Sequence, residues 1–324
     1  GVGWISFSPD GSRMALAHWN GAPTVFDQET MTELLRLEGH AFNARDIAFS
    51  PDGSLLATSS DDLTVKVWDA ETGREKLSLG GHTNAIYSVD FGPDGSRLVS
   101  ADENGQMFVW DPYTGDRILT VRSSAGGFFG VSFAPDGSRL IAPMTDGTVR
   151  EWDAATGDLL RTYAGHTGSV QDTALSPDGA LLASAGTDST VRLWTTGPVG
   201  ELEAFYLGPG GTAMRMDHSP DGRHVAVPDP AGPATIWDAI EGELILTLPE
   251  VDGGAGTMAA AYSPDGMRLA VANGYGPVHI WDVAAQAYVQ TLAGHVGPAI
   301  GLSFSPDGRQ LATSGFVDGW AAVW

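Results

Sequence analysis

A four-residue turn recurs eight times along the chain, and no other feature constrains the fold as tightly: Ser8-Pro9-Asp10-Gly11, then Ser50 to Gly53, Gly92 to Gly95, Ala134 to Gly137, Ser176 to Gly179, Ser219 to Gly222, Ser263 to Gly266 and Ser305 to Gly308. Successive prolines lie 42 residues apart from Pro9 to Pro177, then 43, 44 and 42 residues apart through Pro220, Pro264 and Pro306. One unit has been copied along all 324 residues. Pro presets φ at the second turn position, Asp bonds the local backbone and Gly supplies a positive φ. Each Pro-Asp-Gly therefore predicts a hairpin tip between two strands.

The flanking sequence supplies those strands. Ile47-Ala48-Phe49 precedes the second turn, Leu55-Leu56-Ala57-Thr58 follows it, and Thr64-Val65-Lys66-Val67-Trp68 makes a third run. A further turn at Asp69 to Gly73 leads to a fourth run, Lys76-Leu77-Ser78-Leu79, and then to Gly81-His82. The unit is a four-stranded antiparallel meander, with approximate repeats at 1–38, 39–80, 81–122, 123–164, 165–207, 208–251, 252–293 and 294–324. One such sheet cannot bury both of its faces, so copies must stack, and radial stacking leaves only short, protected edges. The expectation is an all-β chain forming a single β-propeller. An open solenoid of the β-helix kind uses shorter coils than a unit of ~40–45 residues.

Composition narrows the partners. The 17 basic residues against 40 acidic ones give a formal charge of -23, the wrong sign for a phosphate backbone or an anionic membrane surface, so neither nucleic acid nor membrane is expected. No apolar run approaches the ~18 residues of a spanning helix, and the chain reads as soluble. The absence of Cys excludes disulfides, thiolate metal sites and a Cys nucleophile but leaves the compartment open, with the cytoplasm favoured. The start at Gly1, without Met or a targeting segment, reads as a piece of a longer, multidomain chain.

Gly-His pairs at Gly39-His40, Gly81-His82, Gly165-His166 and Gly294-His295 alternate with Trp-Asp pairs at Trp68, Trp110, Trp152, Trp237 and Trp281. An aromatic residue also closes the third run of every unit, from Phe26 through Trp194 to Trp324. In these pairs the whole chain resembles the WD40 repeat family, and its near-identical repeats and excess of Arg over Lys resemble bacterial-type members. The resemblance implies a hydrogen-bonded tetrad of His, Ser or Thr, Asp and Trp inside a blade. It carries over to His40, Thr58, Asp62 and Trp68, to His166, Ser184, Asp188 and Trp194, and, with one residue inserted, to His295, Thr313, Asp318 and Trp324.

The third repeat has His82, Ser100 and Trp110 but Asn104 where Asp is expected. The fourth, sixth and seventh lack the His and place Pro143, Val227 and Val271 at the hydroxyl position. A structural role for the tetrads is expected, because buried groups that satisfy one another avoid a cost of ~1–3 kcal/mol each. Near-copies in several blades argue against hydrolytic triads.

Eight repeats supply three strands and seven supply the fourth, since the chain stops at Trp324. Eight blades are expected, with seven plus a stray repeat as the alternative, and the last blade is expected to present an open edge.

In the family, the loops before the first strand and between the second and third share one face. The position five residues after the Gly-His histidine, or its equivalent, places Gly3, Arg45, Tyr87, Phe129, Gln171, Met214, Met258 and Ile300 there. Large apolar side chains on such a rim are typical interface anchors, although the same position could instead sit in a bulge and pack on the next blade. The opposite face is expected to carry the turn aspartates from Asp10 to Asp307, read as bonding their own backbone, with attraction of cations or a basic partner as the alternative.

Enzymatic signals are weak. The Asp-x-x-Thr-Gly turns at Asp69, Asp111 and Asp153 resemble those of eight-bladed quinoprotein dehydrogenases, but Leu77, Leu119 and Tyr163 stand where that family's docking Trp is expected. His18, His218, His224 and His279 are scattered, and no metal, phosphate-loop, dinucleotide or nucleophile-elbow motif is present. The expected function is non-catalytic: a protein or peptide interaction platform without cofactor or metal, acting as the sensing or scaffolding module of a larger signalling protein. A small-molecule-binding or quinoprotein-like propeller is the alternative.

Overall fold

The computed structural model describes residues 2–19, 21–123, 126–196, 205–207, 215–251, 256–315 and 320–324. Every regular element among them is a β-strand. The strands form eight antiparallel sheets in which each strand pairs with its sequence neighbours; seven sheets have four strands and the last has three. The fold is all-β, built of eight propeller blades. No helix among the described residues is long and apolar enough to cross a membrane.

The second blade shows why the sequence folds this way. Its strands are Ala44–Phe49, Leu55–Ser60, Val65–Asp69 and Glu75–Leu79. All six residues of the second strand are buried, whereas the fourth shows Glu75, Lys76 and Ser78 more openly than Leu79. A strand covered on both faces needs an apolar or small residue at every position, and an edge strand in water needs polar ones. The Pro-Asp-Gly turns close identically, with all eight glycines at φ between 69 and 72°, a region that disfavours any residue with a Cβ.

The chain divides into two compact units, Gly1–Thr162 and Tyr163–Ala322, with the division inside the fourth strand of the fourth blade. Within each unit the apolar cores lie between successive blades. Ala15, Val25 and Leu37 of the first blade join Ile47, Phe49, Leu56 and Trp68 of the second. Similar clusters join the second blade to the third and the third to the fourth, and in the other unit the fifth to the sixth, the sixth to the seventh and the seventh to the eighth. Stacking, as the repeat demands, is what buries the faces.

Arginines add polar clasps at the turn ends of the strands. The Arg13 guanidinium donates to the carbonyls of Gly53 (3.1 Å) and Ala70 in the next blade, and Arg97 repeats this on Gly137 (2.6 Å) and Ala154 (3.1 Å).

Candidate functional site

In six of the blades the end of the first strand opposite the Pro-Asp-Gly turn opens with an irregularity. In the second blade Ala44 pairs with Ser60 and Asp46 with Ser59, so Arg45 is the extra residue of a β-bulge. The same register shift isolates Tyr87, Gln171, Met258 and Ile300 in their blades, and in the first blade it spans Gly3 and Trp4. Phe129 lies between the Phe128–Met144 bridge and the short strand Ser132–Phe133. A bulge re-aims the side chain that it carries. Arg45, Tyr87, Phe129, Gln171, Met258 and Ile300 are all half-buried, and Met214 lies outside the described residues.

In the Gly1–Thr162 unit these side chains form a continuous row. The Arg45 guanidinium lies 5.9 Å from the centre of the Trp19 ring and 4.5 Å from that of Tyr87, and Tyr87 meets Phe129 edge to face at 6.2 Å. Arg45 is fixed by Asp61, whose carboxylate accepts its Nε at 2.6 Å. Trp4 is 41% and Phe42 69% exposed, which adds aromatic surface at the bulge ends of the first two blades. Trp19 and Phe42 escape a count of five from the histidine because they stand at the end of a second strand and in a loop. Only the neighbouring cation reveals Trp19. Gln171, Met258 and Ile300, in the other unit, offer one amide and two flexible or branched apolar groups at the same bulge.

The bulges rest on the hydrogen-bonded groups beneath them. In the second blade the Trp68 indole N–H donates to Thr58 Oγ1 (2.9 Å), Thr58 Oγ1 lies 2.7 Å from His40 Nε2, and His40 Nδ1 lies 2.8 Å from Asp62 Oδ2. Burial works against ionisation of Asp62, but hydrogen bonds from Thr64, His40 and the Ala41 amide outweigh it and hold the carboxyl down at about 2. Burial keeps His40 below its ordinary value. The imidazole is therefore neutral, with its proton on Nδ1 for the carboxylate, and the threonine hydroxyl donates to Nε2.

The fifth blade repeats the chain through Trp194, Ser184 (2.9 Å), His166 (2.8 Å) and Asp188 (3.0 Å). The eighth has Trp324 to Thr313 at 3.0 Å and Thr313 to His295 at 2.7 Å, while Asp318 lies outside the described residues. The polarity is that of a hydrolytic triad, but Thr58, Ser184 and Thr313 are fully buried and each already accepts an indole N–H. No substrate can reach them.

The third blade corrects the expectation drawn from Asn104. Asp102, two residues earlier, takes the place of the missing acid: its Oδ2 lies 3.0 Å from His82 Nδ1, and His82 Nε2 lies 2.7 Å from Ser100 Oγ, which also accepts the Trp110 indole at 2.9 Å. Blades without the histidine use other devices. Phe128 packs edge to face on Trp152 in the fourth, the Trp237 indole donates to Thr235 in the sixth, and Tyr288 stacks edge to face on Trp281 in the seventh.

At the other end of the strands each turn aspartate is committed to its own turn. Asp52, for example, accepts from Ser50 Oγ at 2.6 Å and from the Ser54 amide at 3.0 Å. Among the described residues no group of three or more His, Cys, Asp or Glu is placed to hold a metal ion.

Sequence reasoning missed a set of carboxyls on the first strands, each holding the backbone of the next blade. Asp46 accepts the Val89 amide (3.0 Å) and Asp90 the Phe133 amide (2.9 Å). In the other unit Asp172 accepts the Met216 amide (3.3 Å) and Asp217 the Tyr262 amide (2.8 Å). Their signal was an acid inside an apolar alternation. Burial dominates over these bonds and raises the pKa to about 7 for Asp46 and Asp217 and to about 6 for Asp90 and Asp172.

A carboxyl whose pKa rises on folding holds its proton more tightly in the folded chain. Its cost is absent below about pH 4, grows as pH rises, and is complete above about pH 7. Asp62 and Asp188, held at about 2, act in the opposite sense: their stabilisation is present above about pH 4 and lost as pH falls toward 2. The thermal midpoint is therefore expected to be higher at pH 5 than at pH 8 and to fall steeply below pH 4. Relief of the net negative charge acts the same way between pH 8 and 5, so the decisive measurement uses Asp46→Asn. It keeps an acceptor for Val89 but removes the charge, and should flatten the slope between pH 5 and 8; an unchanged slope would remove Asp46 from this account.

The profile of the family described as WD domain, G-beta repeat matches residues 31–69, 73–111, 115–153, 157–195 and 286–324. Each match starts at or before the fourth strand of one blade and ends with the third strand of the next, so the sequence repeat ties neighbouring blades together. Residues 196–285, which no match covers, contain the sixth blade and the first three strands of the seventh, where Val227 and Val271 replace the hydroxyl. Comparison with curated proteins gives no match. Because the profile covers more than half of the chain, including the blades in which His, hydroxyl and indole are joined, the chain belongs to the WD40 repeat family.

Proposed function

We propose that this chain is a non-catalytic platform that holds a protein or peptide partner against the bulge ends of its blades, and that it serves as the sensing or scaffolding module of a larger signalling protein. WD40 propellers are typically used for protein interaction and are generally not enzymes. The observation that carries the proposal is the row Trp19, Arg45, Tyr87 and Phe129, in which aromatic faces and a cation are linked side by side and half-open to solvent. Pre-ordered aromatic and Arg side chains lose little freedom on binding and dominate the energetics of interfaces. With a formal charge of -23 the chain favours a partner segment carrying Lys or Arg, which would be steered toward it at low salt.

The test is affinity capture from host lysate with the unaltered chain beside a Tyr87→Ala, Phe129→Ala double variant. Each truncation is expected to cost about 2 kcal/mol of binding or more, roughly 30-fold, so the double variant should lose its partner while its thermal midpoint moves by only a few degrees. A large fall in the midpoint would show that these rings serve the packing of the blades. Capture undiminished in the double variant would place the partner elsewhere.

A further inference from the structure

The residue two before the proline of each Pro-Asp-Gly turn is aromatic or aliphatic in seven of the eight repeats: Phe7, Phe49, Phe91, Phe133, Leu175, Tyr262 and Phe304. In the sixth repeat it is His218. The position belongs to the packing between blades, where Phe49, Phe91 and Phe133 are buried, and His218 is only 5% exposed. Neither of its ring nitrogens makes a hydrogen bond of normal geometry, the Ala174 backbone offering one of them only a loose contact. An unsatisfied buried polar group costs about 1–3 kcal/mol, and a repeat that elsewhere keeps an apolar residue at this position has no packing reason to accept that cost.

His218 lines a cleft of about 350 Å³ formed by the first strands of the sixth, seventh and eighth blades. The other walls are largely apolar, including Met216, Ala260, Leu302 and Phe304, with the half-buried hydroxyl-bearing Ser303 among them. Burial lowers the imidazole to about 4, with the Ala174 backbone and the Asp178 carboxylate pulling weakly the other way, so it is neutral near pH 7. Asp217 already accepts the Tyr262 amide, and the Ser263 hydroxyl is spent on Asp265. The deeply buried polar group of the cleft is thus an uncharged imidazole beside a largely apolar wall, to which Arg215, Tyr262 and Ser303 add further polar atoms.

We propose that this cleft is a binding site for a small uncharged molecule with an apolar ring and a hydroxyl or amide group, oriented by a hydrogen bond to His218. Arg215 also lines the cleft, but the Asp172 carboxylate draws on its charge and the chain as a whole is strongly negative, which disfavours an anion, while an apolar ligand alone would leave the imidazole unsatisfied. The site is independent of the aromatic row, which belongs to the other unit and to the opposite end of the strands.

Phenol is the probe. In long-range proton–nitrogen spectra of the whole chain, millimolar phenol is expected to shift the His218 ring resonances saturably, with those of His40 and His166 unmoved. His218→Phe restores the residue that other repeats use. It is expected to abolish saturable phenol binding by calorimetry and to raise the thermal midpoint by about 2 °C or more. His218→Gln, which keeps a hydrogen-bonding group, should retain part of the phenol binding. Unmoved His218 resonances would overturn the proposal, and so would a lower midpoint in His218→Phe, since the imidazole would then be a satisfied structural group.

Discussion

Replacing Trp68 by Ala is expected to destabilise the chain by about 3–5 kcal/mol, read as a large fall in the denaturant midpoint. Trp68 is 1% exposed and contributes to the core shared by the first two blades. It faces Leu56 across the sheet, and its ring meets His40 edge-on at 6.2 Å. The substitution removes this packing and also the indole N–H that Thr58 accepts, which leaves a fully buried hydroxyl with one partner fewer. Trp68→Phe separates the two losses, since it keeps most of the apolar volume, and about 1–2 kcal/mol is expected there. A Cβ at Gly39 would lie 3.0 Å from the same indole, so the glycine of the Gly-His pair is needed for the ring to close over the loop. Trp237, half-buried and donating its indole N–H to Thr235 of its own strand, should cost less when truncated. Equal losses at Trp68 and Trp237 would mean that the hydrogen-bonded chain through Thr58 and His40 adds nothing beyond burial.

The fold was legible because the repeat writes the same physics eight times. Eight glycines with nearly one φ value follow from eight copies of Pro-Asp-Gly, and a third strand ending in an aromatic residue follows from the spacing. The bulge residues were legible by counting from the histidine, since a constant offset from a fixed loop reaches a constant place in the pleat. What counting misses is reach. Asn104 occupies the aligned position in the third blade, but Asp102 at the end of the second strand brings its carboxylate to the same imidazole from another Cα. Nor does spacing show that Arg45 bridges Trp19 and Tyr87, because that contact joins three blades and depends on side-chain direction. The carboxyls of Asp46 and Asp90 break the apolar alternation in the sequence, and their purpose appears only when the neighbouring blade presents an amide to each.

The third blade offers the sharpest separation between alignment and geometry. Asp102→Ala is expected to cost about 3–5 kcal/mol, because a buried carboxylate that serves several donors is removed and leaves them all unsatisfied. Its carboxylate is fully buried, and besides His82 it accepts the amides of Thr83, Asn104 and Gln106, so four donors lose their acceptor together. Asn104→Ala, at the aligned position, removes an exposed amide that touches only Asn84, and a change within about 0.5 kcal/mol is expected. The pH dependence adds a second check. Burial opposes ionisation of Asp102, but the hydrogen bonds of His82 and Gln106 prevail and lower its pKa on folding. Its stabilisation is thus present above about pH 4 and lost as the pH falls further. The gap in midpoint between the unaltered chain and Asp102→Ala should therefore be wide at pH 7 and narrow at pH 3. A gap that keeps its width at pH 3 would show that the loss comes from the shape of the loop and not from the carboxylate, and a large effect of Asn104→Ala would return the acid's role to the aligned position.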